Sequence, residues 1–92
     1  MLEQVDRQLE NRRTRVTRHR MAPGTHTGFH RHDHDYVIVP VTSGRMRILE
    51  DGNERFSELQ SGLAYFRPAG VEHDIYNAGA EELIFVEVEL LA

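Results

Sequence analysis

The sequence predicts an all-β fold, a sandwich or barrel of short strands, and two observations predict it. Gly, Pro, Asn and Asp clusters cut the chain at Ala22–Gly24, Thr42–Gly44, Asp51–Asn53, Gln60–Gly62, Pro68–Gly70 and Asn77–Ala80. Between the cuts lie segments of strand length rich in β-branched and aromatic residues. Short strands at even spacing, bounded by turn signals, build sandwiches and barrels.

Taken in order, Leu2–Asn11 is the one stretch that reads as helical, short and poorly patterned, and residues 1–12 are set apart as an N-terminal arm. A single domain then spans 13–92. Its strand-like segments are Arg13–Met21, Tyr36–Val41, Arg45–Glu50, Arg55–Leu59, Leu63–Arg67, Asp74–Tyr76 and Glu82–Leu90. Asp51-Gly52, between two of them, is a type I′ hairpin signal. In the last segment Ile84, Val86, Val88 and Leu90 face one side and Glu87 and Glu89 the other. Most aromatic residues belong to the core, and Tyr65 and Phe66 alternate, so only one of them faces inward.

A chain of 92 residues makes one domain and is marginal alone. A homodimer is therefore expected, with Arg13–Met21 or Glu82–Leu90 pairing across the interface to cover a sheet edge. No apolar run is long enough to span a bilayer, and Met1–Asn11 carries no secretory pattern. With no cysteine, disulfides and thiolate metal sites are excluded and a cytoplasmic location is the default.

The net charge is −4, and every one of the eleven basic residues is arginine. Arg12, Arg13, Arg15, Arg18 and Arg20 invite a nucleic-acid reading. The acidic total and the lack of a stacking-aromatic groove speak against it. Arg13 and Arg15 instead suit pairing across a sheet with Glu87 and Glu89.

The chemistry points to histidine. Six occur in the chain, four of them within His26–His34. His30 and His32 are two apart, so on an extended strand both rings leave one face and can share a metal. A third ligand must come from elsewhere, and His73 follows the rigid Pro68-Ala69-Gly70 turn. His26 reads as a surface or supporting residue. His34 continues the parity of His30 and His32 but sits between Asp33 and Asp35. His19, in an arginine-rich edge strand, reads as solvent-facing.

These spacings match a family. Gly24, five residues, His30, one residue, His32, then Gly44 resembles the first cupin motif, and Gly62-x5-Pro68-x-Gly70-x2-His73-x3-Asn77 is similar to the second, with each fixed position filled. The resemblance implies a double-stranded β-helix, a jelly-roll barrel holding one metal through His30, His32 and His73. It also implies that Gly44 closes a turn and that Pro68–Gly70 turns the chain before His73.

The departure from the pattern matters as much. The family's motif-one glutamate is absent: after three intervening residues from His32 stands Tyr36, and after four stands Val37, which also lies the family's six residues before Gly44. Three outcomes stay open. The site is completed by water or substrate, His34 or Asp35 replaces the glutamate, or the metal has been lost. Three neutral imidazoles leave the ion's +2 charge uncompensated and favour an anionic or bidentate oxygen ligand. Three-histidine cupins include dioxygenases with such substrates. Iron, zinc, nickel and manganese all remain candidates.

The expected function is that of a small metal-dependent enzyme, oxygenase-like or isomerase-like, acting on a small anionic or chelating molecule. Tyr36 is a candidate to hydrogen-bond substrate or water. The alternatives are a non-catalytic module that binds a metal or small ligand, and a structural barrel without metal. Because imidazole must be neutral to ligate, acidification below about 6.5 is expected to release the ion.

Overall fold

Alternating inward and outward residues carry the chain into nine strands in a computed structural model that describes residues 1–91. They are β1 (Gln4–Glu10), β2 (Thr14–Met21), β3 (His30–Arg31), β4 (Asp35–Pro40), β5 (Gly44–Glu50), β6 (Asn53–Leu59), β7 (Tyr65–Arg67), β8 (Glu72–Asn77) and β9 (Leu83–Leu90). Five form one sheet in the order β1-β2-β9-β4-β7, and four form a second in the order β3-β8-β5-β6. Every strand pair is antiparallel. No helix occurs among the described residues.

The apolar core lies between the sheets. Met21, Tyr36, Ile38, Met46, Ile48, Leu59, Ile75, Leu83 and Phe85 form one buried cluster. Asp51 and Gly52 both have positive φ, at 54° and 74°, as a type I′ turn between β5 and β6 requires. Gly70 also turns with positive φ, at 96°, after Pro68.

Gly44 serves otherwise. Its φ is not positive, and a Cβ there would stand 2.7 Å from Leu83 Cδ1. Close packing of β5 on β9 is what demands glycine, rather than a left-handed turn.

Two expectations about the N-terminal half are corrected. The segment read as helical is β1, which lies along β2 with register partners from Gln4↔Arg20 to Glu10↔Arg15. Its local propensity is weak, and an open sheet edge decides its conformation. Arg18 meets Asp6 at 3.3 Å and Arg15 meets Glu10 at 3.1 Å across the pair. Nor can β2 or β9 pair with a second subunit, because each is flanked on both sides within the chain. The free edges belong to β1, β7, β3 and β6.

Candidate metal centre

The four-stranded sheet brings the three histidines together. His30 on β3 is the register partner of His73 on β8. Just past β3, the His32 amide donates to the Val71 carbonyl at 2.9 Å, so the extended path continues and both rings keep one face. The Nε2 atoms of His30 and His32 stand 2.9 Å apart, and those of His32 and His73 stand 3.1 Å apart. His32 and His73 are buried, and His30 is half-buried.

What faces the other ring nitrogens sets the tautomers. His30 Nδ1 lies 2.8 Å from the Gly28 carbonyl, and His32 Nδ1 lies 3.2 Å from Glu87 Oε1. A carbonyl and an ionised carboxylate only accept, so each Nδ1 carries the hydrogen and each Nε2 presents a lone pair. Burial, reinforced by the neighbouring His30, holds the His32 pKa down at about 4, against the raising effect of Glu87. Burial and the two neighbouring imidazoles hold His73 at about 3. Near neutral pH these two rings are therefore neutral and able to ligate.

The cluster fits a divalent ion. Facing lone pairs at these separations repel unless a cation lies between them. Two imidazole nitrogens at about 2.1 Å from one ion stand about 3.0 Å apart when they subtend roughly 90°. His73 differs in having a buried Nδ1 with no partner.

Residues outside the cluster hold it in place. Asp74 accepts from the Gly28 amide at 3.1 Å and meets His26 Nδ1 at 3.1 Å, fixing the loop whose carbonyl orients His30. His26, stacked on Tyr76, is thus a supporting residue. Asp35 is exposed and caps the Ala69 amide at 2.8 Å. Neither His34 nor Asp35 belongs to the convergent group. Of the two residues at the family's glutamate spacing, Tyr36 is the one that faces the histidines, its ring stacked on His32 with centroids 3.9 Å apart. Val37, half-buried, has the opposite parity.

Glu87 is the functional residue that the sequence reading missed, and His19 is the one it misplaced. Arg15 does pair with Glu89, at 3.4 Å, as expected. Glu87, however, shares the inward parity of Leu83 and Phe85 and is 7 % exposed. Its Oε2 meets His19 Nε2 at 3.1 Å, and His19 Nδ1 meets Glu3 Oε1 at 2.6 Å. His19 is therefore half-buried between two carboxylates on an internal strand. Burial alone would lower its pKa, but hydrogen bonds and charge from Glu3 and Glu87 together prevail and raise it to about 9. The same hydrogen bond to His19 lowers the Glu87 pKa against the opposing effect of burial. A signal was available: a glutamate at the parity of Leu83 and Phe85 on a central strand needs a buried partner.

The three histidines open onto a cavity of about 170 Å³ between the sheets, also lined by Tyr36, Tyr65, Arg55 and Arg67. Tyr65 faces inward, while its neighbour Phe66 is 56 % exposed.

Comparison with known proteins agrees with this fold. A family model described as "Cupin domain" matches residues 17–89. The chain is 49% identical over 83 residues to "Beta-alanine degradation protein BauB" of Pseudomonas aeruginosa, covering 90% of this chain and 87% of that protein. A crystal structure of a cupin domain from Bordetella pertussis Tohama I superposes with a TM-score of 0.96 at 41% identity, covering 99% of this chain and 95% of that one. An RmlC-like cupin with a double-stranded β-helix fold from Methanocaldococcus jannaschii superposes with a TM-score of 0.80 at 17% identity, covering 96% and 79%, and shares the fold.

Proposed function

Because this chain belongs to the cupin family, we propose that it holds one divalent ion through His30, His32 and His73 and acts as a metal-dependent enzyme on a small anionic, chelating molecule. The observation that carries the reading is the convergence of the three Nε2 atoms, 2.9 Å from His30 to His32 and 3.1 Å from His32 to His73. A bound ion would supply Lewis acidity and coordination positions open to substrate or water.

The chain's own residues define the rest. Glu87 and the Gly28 carbonyl orient two of the rings. Tyr36 packs nearly flat on His32 and lines the cavity beside it. Burial pushes the Tyr36 and Tyr65 phenols up, so both remain neutral hydrogen-bonding groups near pH 7. Glu87 is engaged by two histidines. None of these three side chains is a general base poised near neutrality. That favours oxygenase-type chemistry over an isomerase, which must move protons on the substrate.

The name of the Pseudomonas aeruginosa relative refers to β-alanine degradation. A three-carbon carboxylic acid from such a route is small enough for a cavity of about 170 Å³. A non-catalytic binding module is the second reading, favoured by the absence of a poised acid–base group among those three. We further place the protein in the cytoplasm as a homodimer.

Elemental analysis of untagged protein expressed in a mixture of metals tests the reading. One ion per chain is expected. Protein that holds neither iron, zinc, nickel nor manganese is a metal-free barrel, and the enzyme reading is then wrong. Oxygen uptake with β-alanine-related three-carbon acids separates enzyme from binding module.

A further inference from the structure

We propose that Arg67, assisted by Arg55, forms an anion subsite in the cavity, so that the substrate carries a carboxylate in addition to the group that faces the three histidines. The proposal rests on reading those histidines as the metal site.

Strand parity sets both arginines toward the cavity, Arg67 half-buried and Arg55 still exposed. On β6, Arg55 alternates with Ser57 and with the buried Leu59. On β7, Arg67 shares the face of Tyr65, opposite the exposed Phe66. Both line the same cavity as His30, His32 and His73. A half-buried arginine such as Arg67 is costly unless it meets an anion.

The protein supplies that anion incompletely. Arg55 reaches Glu50 at 3.4 Å and Arg67 reaches the same carboxylate at 3.3 Å. Two cations thus share one acid. The other glutamates on the wall are occupied: Glu87 by His19 and His32, and Glu58 by Arg45 at 3.4 Å. The positive excess is local to Glu50, since His19 is itself shared by two carboxylates, Glu3 and Glu87. Arg67 Nε is moreover buried without a hydrogen-bond partner. Arg18 Nε is in the same state but does not line the cavity. Arg67 is bonded to Glu50 through Nη2, and a five-donor guanidinium held at one nitrogen can still offer donors to a second carboxylate. The small cavity limits the ligand to a short acid.

Calorimetric titration of malonate into zinc-loaded protein tests this. The wild type should bind malonate, and R67Q should bind it about ten- to a hundredfold more weakly. R55Q should weaken it less, and both variants should keep wild-type zinc stoichiometry. Zinc-loaded R67Q that binds malonate like the wild type overturns the subsite and leaves the metal reading intact. Zinc-loaded wild type that binds neither malonate nor succinate also overturns it. If the wild type takes up no zinc, the metal reading fails instead. The same titration on metal-free protein then decides the subsite: loss of binding in R67Q supports it, and equal binding overturns it. Should R67Q not fold, R67K decides, because it keeps the charge and loses the fork; unchanged malonate affinity there overturns the proposal.

Discussion

Replacing Glu87 with glutamine should disable the metal site without touching a ligand. The carboxylate faces His32 Nδ1 at 3.2 Å through Oε1 and is hydrogen-bonded to His19 Nε2 at 3.1 Å through Oε2. Glutamine keeps the shape but has one acceptor, so its NH2 must face one of the two rings. The cationic His19 claims the oxygen. The amide NH2 then confronts His32 Nδ1, which must give up its hydrogen and carry it on Nε2, where it blocks ligation. Loss of an outer carboxylate partner costs ten- to a hundredfold in metal affinity, or about 1.4–2.8 kcal/mol.

A stability loss should accompany it. Raising His19 from 6.5 to about 9 stabilises the fold by about 3 kcal/mol near pH 7. Glu3 and Glu87 both contribute, so losing one costs about 1–2 kcal/mol, or roughly 5–10 °C in Tm for a domain of this size. Competition with a chromophoric chelator reads the affinity, and ¹⁵N NMR of the imidazoles reads the His32 tautomer. If Glu87→Gln binds zinc as tightly as wild type and His32 keeps its hydrogen on Nδ1, the orienting role is refuted.

Alanine at His30, His32 or His73 should each abolish stoichiometric metal binding, whereas His34→Ala should leave it intact; metal analysis of the folded variants checks both. In metal-free protein, His32 and His73 contribute stability above about 6.5 that is lost as pH falls toward about 4 and about 3, while the His19 contribution is full below 6.5 and lost as pH rises through about 9. The melting temperature of the metal-free protein should therefore peak near 6.5, and His19→Gln should flatten the alkaline limb alone. Gly70→Val should lower Tm more than Ala69→Ser, since Gly70 has a φ of 96° where a β-branched residue is strained; equal melting of the two refutes the turn assignment. Light scattering should give a dimer at micromolar concentration, and Val5→Glu with Leu9→Glu on the free β1 edge should weaken it.

The fold was legible because strand length and turn residues are local signals. The pieces between Gly and Pro clusters became β2 and β4 through β9 with bounds shifted by a few residues. β1 was not legible, because what makes Gln4–Glu10 a strand lies in β2 and in the charge pairs to Arg15 and Arg18. The strand on which a dimer was expected to form was misjudged for the same reason. Whether β2 or β9 is an edge depends on strand order, and strand order is a property of the whole chain.

At the site, the metal cluster was legible and its surroundings were not. His30 and His32 announce themselves by spacing, and His73 by the turn before it. Glu87 and His19 carry no such mark, because each looks like one member of a charged, alternating strand until its partner is known. The inward face that they share is readable in retrospect from Thr17, His19 and Met21 on β2 and from Leu83, Phe85 and Glu87 on β9. Arg55 and Arg67 follow the same logic at the opposite edges of the two sheets. In a barrel of this size the interior has too few positions for idle charges, since each buried one must be met by an opposite charge or by a ligand. His19 meets Glu3 and Glu87, which ties the first residues of the chain to the ring of His32. Burial already holds His32 and His73 well below 6.5, so at these two rings protons compete with an ion only at lower pH than at an ordinary histidine.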